Sequence, residues 1–379
     1  MGDNIYDYVM TYSYNKLEET ARTFRCLGEA YNSASDGQSV APGISRQLFL
    51  VADTLEECMT IQSANINISV KSADKNFIKE LKGKCIINGI RIKNIRLITG
   101  SNGKHQIILM ARSVGRGCIS IRRLLSVIAC CSNTGYYSDN MNRTIINEEF
   151  HQYVFVEEDR FRILSGVSRI NKGKERYNGD NFLMSHPDCG KAIAAIADGM
   201  GCGKRAFIES RMVIELIENC IKAGFDEKAA LELVNSAYIA GGGMGNPVTV
   251  DMSIIDCQTA YMHCIKLGAV STFIKRESCV EIIKSTTLPI GVLEKVDYDC
   301  TTKKLYDGDY VVMVSDGILD NFPCINKEEQ MADVISSISV REPNAMAAHI
   351  LKQSLSCHNN KPSDDCTVMV IGLFDTYRK

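Results

Sequence analysis

Two apolar runs in the last two hundred residues of this 379-residue chain end on an aspartate, and two more begin just after one. Asp198 closes the run from Ala192 to Ala197, and Asp316 closes Tyr310-Val311-Val312-Met313-Val314-Ser315. Asp180 stands just ahead of Asn181-Phe182-Leu183-Met184, and Asp364 just ahead of Cys366-Thr367-Val368-Met369-Val370-Ile371. Runs of this length bounded by Gly and Asp predict strands buried on both faces. If such strands are antiparallel neighbours, the end of one lies beside the start of the next, and four carboxylates meet at one sheet edge. Unpaired, they would repel one another and titrate upward. A hard divalent cation, Mg2+ or Mn2+, relieves that repulsion through oxygen ligands. The pattern points to a metal-dependent enzyme.

Bulk properties restrict the class further. Hydrophobic content of 45% and charged content of 23% suit a globular chain, and a formal net charge of -2 gives no global attraction to nucleic acid or anionic lipid. No apolar run approaches the length of a membrane span. Met1-Gly2-Asp3-Asn4-Ile5-Tyr6 has neither the basic start and apolar core of a signal peptide nor the Ser or Thr of a myristoylation signal, so a cytoplasmic location is expected. None of the sixteen cysteines forms a C-x-x-C pair; Cys130-Cys131 are adjacent, and Cys85, Cys257, Cys264 and Cys366 fall inside apolar runs. They read as small buried hydrophobes in a reducing compartment rather than as disulfides or zinc ligands.

The chain divides into three expected stretches. Residues 1–65 form a helical segment, with Leu17, Ala21, Phe24, Leu27 and Tyr31 at helical spacing and Ser45 as N-cap of a second helix. It packs on its own domain or serves dimerisation, so a homodimer stays open. Residues 66–160 form an α+β regulatory domain: strands over Ile86 to Ile98, Gln106 to Ala111 and Tyr153 to Glu157, and a helix over Ile119 to Ala129. Its cluster of Arg112, Arg116, Arg122 and Arg123 reads as a solvated face, so no nucleic-acid partner is expected. Residues 161–379 hold the aspartates. Phe161 to Arg176 is read as a connector leading into Asp180, and Asp226 as the N-cap of a helix. Strands over Thr249 to Ile255, Tyr261 to Leu267, Thr272 to Lys275, Val280 to Ile283 and Tyr310 to Val314 precede helices at Lys327 to Ile338 and Asn344 to Ser356. The expected fold is α/β (α+β): an α-β-β-α sandwich behind a small α+β domain and a helical segment.

Asp198-Gly199-Met200-Gly201 could cradle phosphate as a Gly-rich turn at a helix start. The alternating glycines, and Arg205 after Lys204, fail the G-x-G-x-x-G and G-x-x-x-x-G-K-[ST] spacings, so a nucleotide switch is not favoured. Ser315-Asp316-Gly317 repeats the Asp-Gly pattern after a second buried strand, which favours a metal ligand with a glycine carbonyl beside it. Cys202, inside the turn, reads as a small residue the turn requires, the alternative being a redox-sensitive thiol. None of the six histidines has an evident carboxylate partner.

Tyr177-Asn178-Gly179-Asp180-Asn181, Ala197-Asp198-Gly199-Met200-Gly201, Val314-Ser315-Asp316-Gly317-Ile318 and Asp364-Asp365-Cys366-Thr367-Val368 resemble the four motifs of the metal-dependent (PPM, type 2C) serine/threonine phosphatases. Gly201-x-Gly203-Lys204-x-Ala206, Asp251 to Asp256, Phe273 to Arg276 and Leu288-Pro289-Ile290-Gly291 are similar to the stage II sporulation protein E family among them. The resemblance runs from about Ile86 to Phe374. It implies two Mn2+ or Mg2+ ions, with Asp198 bridging, Asp180 and the Gly199 carbonyl on one side, and Asp316 with Asp364 on the other, Asp365 being a nearby alternative. It implies hydrolysis of phosphoserine or phosphothreonine by metal-activated water on a phosphoprotein, by analogy an anti-anti-sigma-factor-like partner. The competing reading is a weakly active signalling or scaffold protein whose metal site is mainly structural.

Overall fold

The strands flanking the aspartates stack into two five-stranded antiparallel sheets in the computed structural model of the chain. The structure describes residues 17–29, 45, 48–53, 55, 69–71, 75–99, 104–115, 117–132, 134–139, 142–173, 176–186, 190–201, 203–223, 225–239, 246–277 and 279–376. Cys202, Arg116, Tyr31 and the loop at 241–245 lie outside the described residues. The chain forms two compact units, one of residues 1–13, 63–160 and 188–190 and the other of residues 14–62, 161–187 and 191–379.

The second unit begins with helix α1 (residues 17–29) and a further helical stretch, α2 (residues 48–53). Leu27 of α1 is fully buried, the Thr23 hydroxyl donates to the Asn219 carbonyl, and Phe24 meets Phe225 edge-on. Ser45 is itself helical, and its hydroxyl donates to the Gly28 carbonyl at 2.7 Å. It therefore ties the two helical stretches together instead of acting as the expected N-cap.

The first unit holds β1 (Ser69–Lys71), α3 (Lys75–Ile87), β2 (Ile90–Thr99), β3 (His105–Ser113), β4 (Ile119–Ser120), α4 (Ile121–Cys131), β5 (Tyr136–Ser138), β6 (Ile145–Ile146) and β7 (His151–Glu157). A sheet ordered β1-β2-β3-β7-β5 packs its apolar face on α3 and α4, with Leu81, Leu124, Ile128, Leu109 and Tyr153 in the core. The expected strand from Ile86 is corrected here. Ile86 and Ile87 are exposed in the last turn of α3, and the Asn88-Gly89 turn, with Gly89 at φ +75, separates that helix from β2.

The remaining elements are β8 (Phe161–Ile170), β9 (Asp180–Ser185), β10 (Lys191–Gly199), α5 (Lys204–Ala223), α6 (Glu227–Tyr238), β11 (Val248–Asp256), β12 (Tyr261–Leu267), β13 (Thr272–Arg276), β14 (Cys279–Ile283), β15 (Asp299–Lys304), β16 (Tyr310–Val314), α7 (Asp316–Asp320), α8 (Lys327–Ser337), α9 (Pro343–Cys357) and β17 (Cys366–Asp375). One sheet runs β15-β12-β11-β10-β9, the other β14-β13-β16-β17-β8. Side chains alternate between faces. Ile193, Ala195 and Val250 pack outward on α5 and α6, while Ala194, Ile196 and Ile255 face the second sheet and meet Ile274, Met313 and Ile371. On the far side Val312, Val314 and Val368 pack on α8 and α9 through Ile335, Met346 and Ile350. The layering is α-β-β-α. Phe161 to Ile170 is not a connector: it pairs with β17 over ten residues as an edge strand. Asp226 caps α6 as expected, accepting from the Ala229 N–H at 2.8 Å.

Candidate metal centre

Antiparallel pairing of β9 with β10 sets Asp180 directly opposite Asp198. In the second sheet β16 pairs with β17 so that Val314 lies opposite Val368, and the segments carrying Asp316 and Asp364 leave the sheet side by side. Asp198 shares the inward face of β10 with Ile196 and Ala194. Asp180, Asp198, Asp316 and Asp364 thus meet at one end of the sandwich as two pairs from two stacked sheets, and not along one sheet edge as the sequence suggested.

Close backbone approach explains why glycine follows two of these aspartates. A Cβ on Gly199 would fall 2.6 Å from the Ala206 carbonyl oxygen in the first turn of α5, and one on Gly317 would fall 2.2 Å from the Asp365 carbonyl oxygen. Each glycine lets a neighbouring segment lie against the strand end that bears the carboxylate. Around Asp180 the backbone is pinned by side chains. Asn178 Oδ1 accepts from the Asp180 N–H at 2.9 Å, the Ser210 hydroxyl donates to the Gly179 carbonyl at 2.6 Å, and Asn181 Nδ2 donates to Ser210 and to the Phe207 carbonyl. On the other sheet, the Ser315 hydroxyl accepts from the Thr367 N–H at 2.9 Å.

The carboxylates are not equivalent. Asp180 is 1% exposed, and neither of its oxygens makes a geometrically complete hydrogen bond. Burial pushes its pKa up, as do the Asp365 and Asp316 charges, while the nearby Thr367 and Ser315 hydroxyls temper the rise. Burial also raises Asp198, and the charges of Asp180, Asp316 and Asp364 add to that. Asp316 is exposed as a residue, yet desolvation of its carboxyl by the surrounding atoms raises it, followed by Asp320 and Asp364, with the Gly317 N–H and Asp198 acting the other way. Asp364 sits at the rim, 44% exposed, with an oxygen 3.4 Å from Lys172 Nζ. Asp365 points elsewhere: its two oxygens accept from the Lys172 and Gly179 N–H groups, each at 2.7 Å.

These residues fit divalent cations. A nine-tenths buried carboxylate with both oxygens unpartnered, facing further carboxylates that raise one another, is a donor set awaiting positive charge. Among the described residues no three His, Cys, Asp or Glu side chains close round one point. A cavity of about 50 Å3 adjoins the cluster, lined by Asp198, Asp316, Ser315, Thr249 and Asp251 among others. A larger hollow of about 350 Å3 in the first unit, lined by Lys84, Ile87, Arg123 and Cys130, contains no acidic group and takes no part.

Sequence reasoning missed two buried charges beside this cluster. Asp251 and Lys266, 2% and 1% exposed, form an ion pair of 2.9 Å between β11 and β12. Strand alternation could have revealed them, since Lys266 and Asp251 fall on the inward-facing phase of their strands.

Residues 188–374 match the family model described as stage II sporulation protein E (SpoIIE). The stage II sporulation protein E of Bacillus subtilis (strain 168) is 32% identical over 212 residues, 56% of this chain and 26% of that protein. The protein of the same description from Priestia megaterium is 30% identical over 210 residues, 55% of this chain and 36% of that protein. The chain thus spans about a quarter to a third of the length of these curated relatives. Among solved structures, the PP2C phosphatase domain with a fragment of the regulatory domain of the cell fate determinant SpoIIE from Bacillus subtilis superposes with a TM-score of 0.61 at 23% identity. It covers 90% of this chain and 100% of that one, a likeness of fold. No described helix is long and apolar enough to cross a membrane.

Proposed function

We propose, from the match of residues 188–374 to the stage II sporulation protein E family model, that this chain is a divalent-cation-dependent protein serine/threonine phosphatase of the PPM type. The observation that carries the reading is the register pairing of buried Asp180 with half-buried Asp198, with the oxygens of Asp180 unpartnered and Asp198 facing Asp316. Asp198, Asp180, the Gly199 carbonyl, Asp316 and Asp364 would hold Mn2+ or Mg2+, with Asp198 between the other two pairs. Bound there, such ions would supply positive charge for phosphate oxygens and lower the pKa of water.

The chain's own residues set the geometry for that chemistry. Ser210, Asn178 and Asn181 fix the corner that carries Asp180. Asp365 serves as an anchor and not as the alternative ligand, because its oxygens already hold the Lys172 and Gly179 N–H groups. Asp364 is the rim carboxylate. Burial of Asp180 and partial burial of Asp198 limit screening by bulk water, so a cation placed there would act at lowered effective dielectric. The substrate is a phosphoserine or phosphothreonine protein, of the kind that antagonises an anti-sigma factor, and the first unit regulates the second.

Hydrolysis of p-nitrophenyl phosphate and of a phosphoserine peptide, each with Mn2+, Mg2+ and chelator side by side, tests this reading. Turnover that appears with either cation and vanishes with EDTA is expected. Activity undiminished by exhaustive EDTA treatment, or no phosphate release with any cation, would overturn it.

A further inference from the structure

The Asp251–Lys266 pair is buried inside the sandwich, where the desolvation of two ions is costly. Its geometry is specific. One oxygen of Asp251, Oδ2, takes Lys266 Nζ at 2.9 Å and the Thr272 hydroxyl at 2.5 Å. Lys266 Nζ also donates to the Val270 carbonyl at 2.5 Å, so one ammonium holds β11 and the 268–270 turn together. The other oxygen, Oδ1, is buried and has no protein partner. Asp251 and Val270 both line the cavity of about 50 Å3 that Asp198, Ser315 and Asp316 line from the other side. A polar space of that size holds an ordered water, given two or more polar partners. Asp251 lies opposite Ile196 in the strand register, two residues before Asp198 on the same inward face.

We propose that Asp251 is a positioning residue for the carboxylate cluster. Lys266 and Thr272 lock its Oδ2, and its Oδ1 accepts a hydrogen bond from cavity water shared with Asp198 and Asp316. The orientation of those two carboxylates is thereby fixed from behind, on the side away from Asp364. Lys266 cancels the charge of Asp251, so the support adds an acceptor without adding net negative charge to a cluster that already repels itself. Outer residues of this kind set how well the inner ligands hold a cation.

The inference rests on the cation-binding reading above, and its test separates the two. The free Mn2+ signal in electron paramagnetic resonance, titrated with full-length protein well below its melting temperature, gives cation affinity with no turnover involved. Asp251→Asn presents its amide oxygen to Lys266 and Thr272 and turns an N–H donor toward the cavity. Asp251→Leu combined with Lys266→Met removes both buried charges while keeping the space filled. Ser253→Ala changes another buried, unpartnered polar group on the same strand that does not line the cavity. The expected result is a Mn2+ affinity weakened about tenfold or more in Asp251→Asn and in the double variant, with Ser253→Ala equal to wild type. Wild-type affinity in a folded Asp251→Asn or double variant would overturn the positioning role and leave cation binding standing. Equal weakening in Ser253→Ala would reduce the pair to general packing, and absence of Mn2+ binding by wild type would overturn both readings.

Discussion

Two acidic places lie inside the same sandwich, and the chain treats them in opposite ways. At Asp251 it supplies the compensating charge itself, through Lys266, together with a hydroxyl from Thr272. At Asp180, Asp198 and Asp316 the described residues supply none, and desolvation and mutual repulsion raise all three carboxyls. Of the acidic cluster, only Asp364 at the rim meets a described lysine, Lys172 at 3.4 Å. The difference separates a place finished by the polypeptide from a place completed by something it binds. Removing charge should therefore destabilise the first place and relieve the second.

The largest effect on stability is expected for Lys266→Met, which strands the Asp251 carboxylate in the interior. Chemical denaturation should report a loss of about 3–5 kcal/mol, the cost of breaking a buried pair from one side. Equal stability would mean that the two places are alike. Asp198→Asn should cost turnover about 2–4 kcal/mol of barrier, the range for a lost electrostatic stabiliser, as measured by initial rates with saturating Mn2+. Retention of more than about a tenth of the wild-type rate would remove Asp198 from the bridging position.

Acidity sharpens the contrast further. Because the native values of Asp180, Asp198 and Asp316 are raised above ~3.9, the folded chain holds more protons than the unfolded one between those values. Their contribution to stability is present at low pH and is lost as pH climbs through the raised native values. The melting temperature of cation-free protein should fall from about pH 5 to about pH 8, and saturating Mg2+ should flatten that fall. The smallest effect is expected for Asp365→Asn, which leaves one of two backbone N–H groups without its carboxylate partner. About 1–3 kcal/mol of stability should be lost in denaturant titration, with Mn2+ affinity changed less than in Asp198→Asn.

Much of this was legible in the sequence because β10, β16 and β17 lie inside their sheets and carry continuous apolar runs, although β9 with Asp180 is an edge strand. Tyr261–Leu267 and Tyr310–Val314 form over the expected residues, and antiparallel pairing sets Asp180 beside Asp198. Their meeting with Asp316 and Asp364 depends on the stacking of two sheets, which the sequence did not show. Edge elements were harder to read. Phe161–Ile170 carries Arg162, Gly166 and Arg169 and is only partly buried, so it lacks the continuous apolar run that marks a central strand. Helix α3 hid behind Ile86 and Ile87, two exposed β-branched residues that suggest a strand. Asp364 and Asp365 are adjacent and chemically identical, and only the fold shows that one faces the rim while the other holds Lys172 and Gly179. The partnership of Asp251 with Lys266 depends on strand register, which spacing within one strand does not reveal.

Thermal melting of cation-free wild type and Asp198→Asn across a Mn2+ titration tests most directly whether the aspartate edge is a place the chain leaves for a cation. The account predicts that, without cation near neutral pH, Asp198→Asn melts above wild type because folding no longer has to protonate or desolvate that carboxylate. It predicts that Mn2+ then raises wild type and leaves the variant nearly unmoved. A wild type indifferent to Mn2+, or a cation-free variant that melts well below it, would contradict the account.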